Sequence, residues 1–405
     1  MNETQTANQT EAGFWHRMFG RRSQQPGPAH VKASATGSLI ALSSLGQPVW
    51  TPRNYDQLAR EGYEQNAVAF RCVRMIAEAA ASVPWLLYEG ERELETHPLL
   101  TLLRRPNPGE GGADLLEAWY GYLQVAGNAY LEAVRIGEQV RELHVLRPDR
   151  MKVVPGMRGW PEAYEYTVNG RTVRFLDEPD HPILHLKAFH PTDDHYGLSP
   201  LEAAARAIDI HNAAGAWNKA LLDNSARPSG ALIYKGANGD QTLTNEQFDR
   251  LKLELEENYS GAGNAGRPLL LEGGLDWKQM GLAPKDLDFN ETKNAAAREI
   301  ALAFGVPPML LGIPGDNTFA NYKEANLVLW RQTILPLVHK TVTALSNWLV
   351  PRFGEGLRLD VDLDAVPALG VERDGLWARL KDADFLSEDE KRAVVGYEPR
   401  RPTVS

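Results

Sequence analysis

The sequence predicts an α+β protein that combines a mainly antiparallel sheet with long alanine-rich helices, and three observations predict it. Between residues 85 and 187, short apolar or alternating runs such as PWLLYEG, GNAYLEAVR and HPILHLKAF recur at strand length, and Asn169 and Gly170 form a hairpin-turn pair. From Ser199 onward the texture changes to helical runs dominated by alanine. Between two of those helices, residues 228–285 alternate strand and helix patterns, so a small α/β unit is inserted on a two-helix stalk.

Residues 1–50 are rich in Gln, Ser, Gly, Pro and Ala and cannot assemble a core, so they read as a disordered or loosely docked N-terminal arm. Within them FWHRMFGRR has the make-up of a short amphipathic docking piece or of a solvated tail. In NAVAFRCVRMIAEAAASV the spacing puts Val68, Cys72, Met75, Ile76 and Ala79 on one helical stripe, ended by Pro84. PWLLYEG is a strand into a turn, HPLLTLLRR a short helix closed by RPNPGEGG, and ADLLEAWYGYLQVAG a helix with Asp114 in its first turn. GNAYLEAVR, VRELHVLRPDRMKVVPG, YEYTVNGRTVRFL and HPILHLKAF follow as strands. Ser199 is a good N-cap, Pro200 suits the first helical position and Glu202 the positive end of the dipole. One rod is expected from there to Arg227 and Pro228, about 37 Å long at 1.5 Å per residue.

The insert reads as strand SGALIYKG, helix TNEQFDRLKLELEENYSG, loop GAGNAGRP, and strands LLLEGG and LDWKQMG; Thr244 and Gln247 stand in capping-box relation. The helix DLDFNETKNAAAREIALAFG then runs to Gly305. LLGIPGDNTFANYKEANLVLWRQ, residues 310–332, sets a soft, turn-rich loop directly against a strong helix, an arrangement that suits a catalytic loop, a lid or a gasket. Asn317, or Asn321 with Glu324, caps that helix, whose apolar positions run from Leu327 through Trp330, Ile334, Val338, Val342 and Leu345 to Leu349. Pro336 lacks an N–H and collides with the Gln332 carbonyl, which predicts a kink. A strand, GLRLDVDLD, and two helices, VERDGLWARLKDADF and SEDEKRAVVG, complete the chain; Ser387 and Glu390 form the last capping box.

Composition narrows the function classes. About two fifths of the residues are apolar, enough for a sizeable core, yet no run of 18 apolar residues offers a membrane span. The start lacks the pattern of a secretory signal, so assembly in the cytoplasm is expected. Cys72 alone cannot form an internal disulfide or a multi-thiolate metal site, and its helical setting suits a buried small thiol. The net charge is -10 with no basic stripe, unlike a protein that grips duplex.

Chemistry-bearing motifs are sparse. His181, His185, His190, Asp193, Asp194 and His195 cluster in HPILHLKAFHPTDDHYG and supply ligand types of a zinc or iron site, so a metal-dependent hydrolase is the alternative reading. Their spacing matches no helix-borne metal motif, and Pro182 and Pro191 break the run. GAGNAGRP lacks the Lys and hydroxyl of a phosphate loop, GLSPL is a helix start rather than a nucleophile elbow, and no carboxylate pair stands out. No cofactor is expected.

The order of parts carries the strongest signal. HPLLTLLRRPNP, GNAYLEAVR, LHVLRPDRM, YGLSPLEAAARAI, NSARPSGAL and REIALAFGVPPMLLGI, in sequence, resemble the HK97-type portal proteins of tailed phages, including those of phage-derived gene transfer agents. The resemblance implies the portal-protein fold: an α/β wing at 51–198, stem helices at 199–227 and 286–305, a clip at 228–285, a tunnel loop at 306–320, a kinked wing helix and strand at 321–368, and a short helical crown at 369–405. It implies a dodecameric ring at one capsid vertex, bound by the major capsid protein, docked first by the large terminase subunit and then by the head-to-tail adaptor, and passed by double-stranded DNA without sequence specificity. It also implies a structural rather than enzymatic role; another ring-forming virion component, such as an adaptor, is the neighbouring alternative. On this resemblance Gly312, Ile313, Pro314, Gly315, Asp316, Asn317, Thr318 and Phe319 face the DNA, and Tyr234, Lys235, Phe248, Tyr259, Trp277 and Lys278 are candidate contacts of the clip.

Overall fold

A computed structural model of the chain describes residues 50–137, 139–177, 181–223, 230–234, 244–259, 275–279, 289–315 and 319–395. The first helix, α1 (Tyr55–Leu58), starts where Asn54 Oδ1 accepts from the Gln57 amide at 2.9 Å, and it continues as a π turn, Ala59–Glu64. Asn66 then caps α2 (Ala67–Ala81), accepting from the Val68 and Ala69 amides at 3.1 and 3.0 Å. The buried stripe of α2 is Ala69, Cys72, Val73, Ile76, Ala77 and Ala80, so the predicted stripe is corrected: Val68, Met75 and Ala79 lie at its edges. Packing of α2 against a later helix, Gly112–Ala126, turns the arc, a neighbour that periodicity alone does not reveal.

β1 (Trp85–Glu89) turns into the two-residue β2 (Arg92–Glu93), and α3 (Pro98–Arg104) and α4 (Gly112–Ala126) follow. Two three-stranded antiparallel sheets come next. β3 (Asn128–Ile136) pairs with β4 (Gln139–Leu146). β5 (Met151–Pro155), β6 (Pro161–Val168) and β7 (Arg171–Leu176) make the second sheet in that order. Asn169 and Gly170 turn β6 into β7 at φ 50° and 77°, the pair of positive φ angles that such a two-residue hairpin demands. β8 (Ile183–Lys187) returns to the free side of β3, giving the order β4-β3-β8. α4 lies on this sheet, and Trp119, Tyr120 and Leu143 are among the largest fully buried side chains of the main core.

The expected single rod after Ser199 is two pieces. Ser199 Oγ accepts from the Glu202 amide at 2.9 Å to start α5 (Pro200–Ala203), and α6 (Ala205–Asp223) begins after Ala204. Leu201, Ala204 and Ala205 are all buried at this junction, so contact with the core, rather than helix propensity, sets the break. In the insert, β9 (Gly230–Tyr234) and β10 (Leu275–Gln279) are antiparallel, with Tyr234 opposite Leu275 and Gly230 opposite Gln279. Between them in sequence α7 (Asn245–Tyr259) opens with the expected reciprocal bonds: Gln247 N to Thr244 Oγ1 at 3.3 Å and Thr244 N to Gln247 Oε1 at 3.1 Å. GAGNAGRP, LLLEGG and FWHRMFGRR lie outside the described residues.

α8 (Phe289–Ala303) packs along α6. After a connecting loop, α9 (Phe319–Leu329), a π turn (Trp330–Ile334) and α10 (Leu335–Trp348) run on without interruption. Their buried side chains, Leu329, Trp330, Ile334, Val338, Val342, Leu345 and Trp348, join the main core, as the apolar spacing predicts. β11 (Leu357–Val361) pairs with β1 across most of the chain, Trp85 facing Val361 and Glu89 facing Leu357. α11 (Gly370–Lys381) and α12 (Glu388–Val394) follow, and both Ser387–Glu390 capping bonds are present. Among the described residues no helix is long and apolar enough to cross a membrane.

Candidate functional site

The loop between α8 and α9 is built by two successive left-handed glycines. At the end of α8 the Gly305 amide donates to Leu302 O at 3.0 Å and the Val306 amide to Ala301 O at 2.9 Å, with Gly305 at φ +66°. This is a Schellman end, which satisfies carbonyls that the stopped helix would leave unpaired. Phe304 and Val306 on either side are 3% and 2% exposed, so the turn is sealed into the core. Pro308–Leu311 forms one turn of 3-10 helix, and the pattern repeats: the Gly312 amide reaches Met309 O at 3.2 Å and the Ile313 amide Pro308 O at 3.3 Å, with Gly312 at φ +71°.

Two side chains hold this loop from opposite ends. Thr333, on the π turn, donates its hydroxyl to Gly305 O at 2.7 Å. Arg298, on α8, donates to the Pro314 carbonyl. A small apolar cluster adds to the hold, because Ile313, 7% exposed, packs on Ala297 and Ala301. Ile313, expected on the DNA-facing surface, has its side chain buried against α8, while its amide closes onto Pro308 O of the 3-10 turn. Gly312, Pro314 and Gly315 are exposed. Asp316, Asn317 and Thr318 lie outside the described residues, and Phe319 opens α9. Asn321 sits inside the first turn of α9, so its expected capping role is corrected as well. Pro336 is the second residue of α10, directly after the π turn in which the Leu335 amide reaches back to Trp330 O. That wider turn loosens the ladder where the proline removes a donor.

Arg298 and Thr333 were not singled out by sequence. The one available signal for Arg298 is that it is a cation on the alanine-rich run NAAAREIALA, a position that spacing does not connect to a loop 16 residues on. Thr333 is within an apolar helical pattern and carries no signal of its own.

The insert residues spread over its described parts. Tyr234 ends β9, Trp277 and Lys278 are on β10, and Tyr259 ends α7. Phe248 on α7 is 58% exposed and Leu253 on the same helix 57%, large apolar groups turned to solvent. Lys235 lies outside the described residues.

The His181–His195 stretch is put to structural use. His185 stacks on Tyr130 with ring centroids 4.2 Å apart, and its Nε2–H donates to Asn128 Oδ1 at 3.0 Å. Burial, then the nearby Lys187 and His195 charges, push its pKa down to about 3, so the ring is neutral near pH 7. Asp193 Oδ1 accepts from the His195 and Tyr196 amides at 2.7 and 2.9 Å, and the Tyr196 bond, followed by burial acting against it and the His195 bond, leaves the carboxyl below its usual range. The His181 carbonyl accepts from Trp348 Nε1 at 3.2 Å and Arg352 at 2.7 Å, while Lys340 donates to the Lys187 carbonyl, so the stretch straps β8 to α10. Among the described residues no three His, Cys, Asp or Glu side chains converge as metal ligands would. Cys72 is buried, and burial, against Arg71, pushes its thiol up to about 12.

A family model described as phage portal protein matches residues 67–396. The chain belongs to the phage portal protein family. An uncharacterized protein of Rickettsia bellii (strain RML369-C) is 44% identical over 341 residues, covering 83% of this chain and 88% of the relative. The portal protein of Enterobacteria phage HK97 is 26% identical over 375 residues, covering 88% and 82%. A solved neck of a native gene transfer agent particle, computed with C12 symmetry, is 58% identical and superposes with a TM-score of 0.68 over 88% of this chain and 97% of that one. Portal function follows from this membership, and the mixed helix and sheet architecture is that of the portal structures. The family is structural rather than enzymatic.

Proposed function

We propose that copies of this portal chain form a dodecameric ring around a DNA channel at one capsid vertex, the ring being assembled in a host cytoplasm and carried into a virion or gene transfer agent particle. The twelvefold symmetry of the 58% identical neck supports the copy number. The observation that carries the functional reading is the doubly pinned loop: its base is fixed to α8 by Ile313 and Arg298 and to the π turn by Thr333. A rigid base with a polar continuation suits a gasket that touches a sliding duplex without gripping it. Phosphate-binding cations would act as a brake, and copies of a -10 subunit sum to a charge on the order of -120 in a dodecamer, which disfavours sticking.

On this reading residues 51–198 form the wing against the major capsid protein, and α5, α6 and α8 the stem. Residues 228–285 are the clip, which docks the large terminase subunit and later the head-to-tail adaptor, with Phe248 and Lys278 on its exposed surface. Residues 321–368 return through the wing, and α11 and α12 form a short crown. No catalytic step, metal or cofactor is assigned to the chain; the motor supplies the chemistry.

Removal of residues 315–318, which spares Ile313 and Pro314, tests the loop. Rings of unchanged mass by electron microscopy with reduced DNA filling are expected. Normal filling would overturn the loop's role, and loss of rings would overturn the separation of anchor from tip. A stable monomer under assembly conditions, with no ring in particles, would sink the whole reading.

A further inference from the structure

A groove of about 460 Å³ lies between α1 with its π turn and α4, and none of its lining residues belongs to the α8–α9 loop. Tyr55, Tyr63 and Tyr122 form its walls, and Val73 and Val125 contribute an apolar floor. Its rim is acidic: Glu64 is exposed, Asp114 accepts the Gly111 amide at 3.1 Å, and Glu117 pairs with Arg74 at 2.9 Å. Arg74 is shared with Glu78, and Arg147, which stands near Tyr55 and Tyr122, is paired with Asp149, so acidic groups outnumber cations around the groove. An occupant of complementary chemistry is aromatic and basic, short, and able to arrive without crossing the core.

The chain itself contains such a segment. In FWHRMFGRR, residues 14–22, Phe14, Trp15, Met18 and Phe19 recur at i, i+1, i+4 and i+5, the spacing of one helical stripe, and His16, Arg17, Arg21 and Arg22 carry the basic character. The entry point of the described chain is close to the groove. The Arg206 guanidinium lies over the Trp50 ring, Thr51 binds Asp209 through its amide at 2.9 Å, and Tyr55, a few residues on, already lines the wall. At about 3.3 Å per extended residue the stretch between Arg22 and Trp50 reaches roughly 90 Å, so tether length does not limit docking. A tether that can span the distance also makes docking intramolecular, at an effective concentration of about millimolar.

We propose that residues 14–22 occupy this groove on their own chain, with the aromatic stripe against the three tyrosines and the arginines toward Glu64 and Asp114. The arm is then a self-docked strap that covers a tyrosine-rich face of the body. This assignment rests on the groove and on the sequence of the arm, and is independent of the role given to the α8–α9 loop.

The test uses the full chain with a benzophenone side chain in place of Phe19, irradiated and mapped by mass spectrometry on a mixture of isotopically light and heavy copies. Cross-links within one copy, onto peptides that contain Tyr55, Tyr63 or Tyr122, are expected. Gly121 lies in the groove, and a Cβ built there meets nothing within 4 Å, so Gly121→Leu places a side chain in the groove from an unobstructed position on α4. It should lower the cross-link yield about fivefold or more, a loss of about 1 kcal/mol of docking, and speed tryptic cleavage after Arg17, Arg21 and Arg22 in parallel. Glu64→Arg should weaken docking, and Arg21→Glu with Arg22→Glu in that background should restore part of it. Cross-links to other surfaces, cross-links between copies, or a yield unchanged by Gly121→Leu would each overturn the proposal.

Discussion

Replacing Gly305 by alanine should destabilise the protein through two separable effects. The first is conformational: Gly305 sits at φ +66°, where an L-residue with a Cβ costs about 1–2 kcal/mol. The second is steric: a Cβ at this position lies 2.7 Å from Thr333 Oγ1, so the threonine must swing away and lose its 2.7 Å bond to Gly305 O, at about 0.5–1.5 kcal/mol. Reduced freedom of the unfolded chain offsets about 0.4–1 kcal/mol. The net expectation is about 1–2.5 kcal/mol, read as a shift of the urea midpoint at fixed subunit concentration. In a Thr333→Ala background the bond and the clash are both gone, so only the backbone effect remains, and the cost of Gly305→Ala should fall by about 0.5–1.5 kcal/mol. Equal costs in the two backgrounds would refute the assigned contact. A cost near zero in both would refute the left-handed conformation.

The remaining predictions concern the loop anchor and the neutral histidine. Ile313→Ala removes a buried side chain at the margin of the core and should cost about 2 kcal/mol, with amide exchange at Gly312 and Ile313 accelerated about tenfold; unchanged exchange would show that the α8 cluster does not hold the loop. His185 has a folded pKa lowered to about 3 against about 6.5 unfolded, so its contribution is complete above pH 6.5 and is lost as the pH falls from 6.5 toward 3. Stability should therefore decline over that window with a slope of up to about 1.4 kcal/mol per pH unit from this group. His185→Gln should flatten the slope, and an unchanged slope would show that other groups set the acid response.

Much of the fold is legible in local sequence because its signals are local. Asn169 and Gly170, Thr244 with Gln247, Ser387 with Glu390, and Ser199 before Pro200 each fix a turn or a helix start through groups within four residues of one another. Asn321 shows the limit of the same reasoning. It has the make-up of a cap, but α9 begins two residues earlier at Phe319, so Asn321 falls inside the first turn rather than at the N-cap position. The stripe on α2 was displaced for a related reason, since its buried arc follows the contact with α4 rather than the best apolar periodicity.

By itself the sequence determined the class of protein: the order of strands, stalk helices, insert, loop and terminal helix pair, together with the absence of a local catalytic motif. It did so because apolar periodicity, capping chemistry and turn residues act over a few positions and survive in a one-dimensional reading. Only the tertiary structure decided which part of the loop is anchored. Ile313 reads as one more loop residue until Ala297 and Ala301 come up beneath it, and the partners Arg298 with Pro314 and Thr333 with Gly305 lie 16 and 28 residues apart. The same holds for the histidines: neighbours in sequence suggested shared ligands, but β3 and α10 supply Asn128, Tyr130 and Trp348 as their separate partners. Contacts of that kind depend on how helices and sheets pack, and packing is a property of the whole chain rather than of any stretch of it.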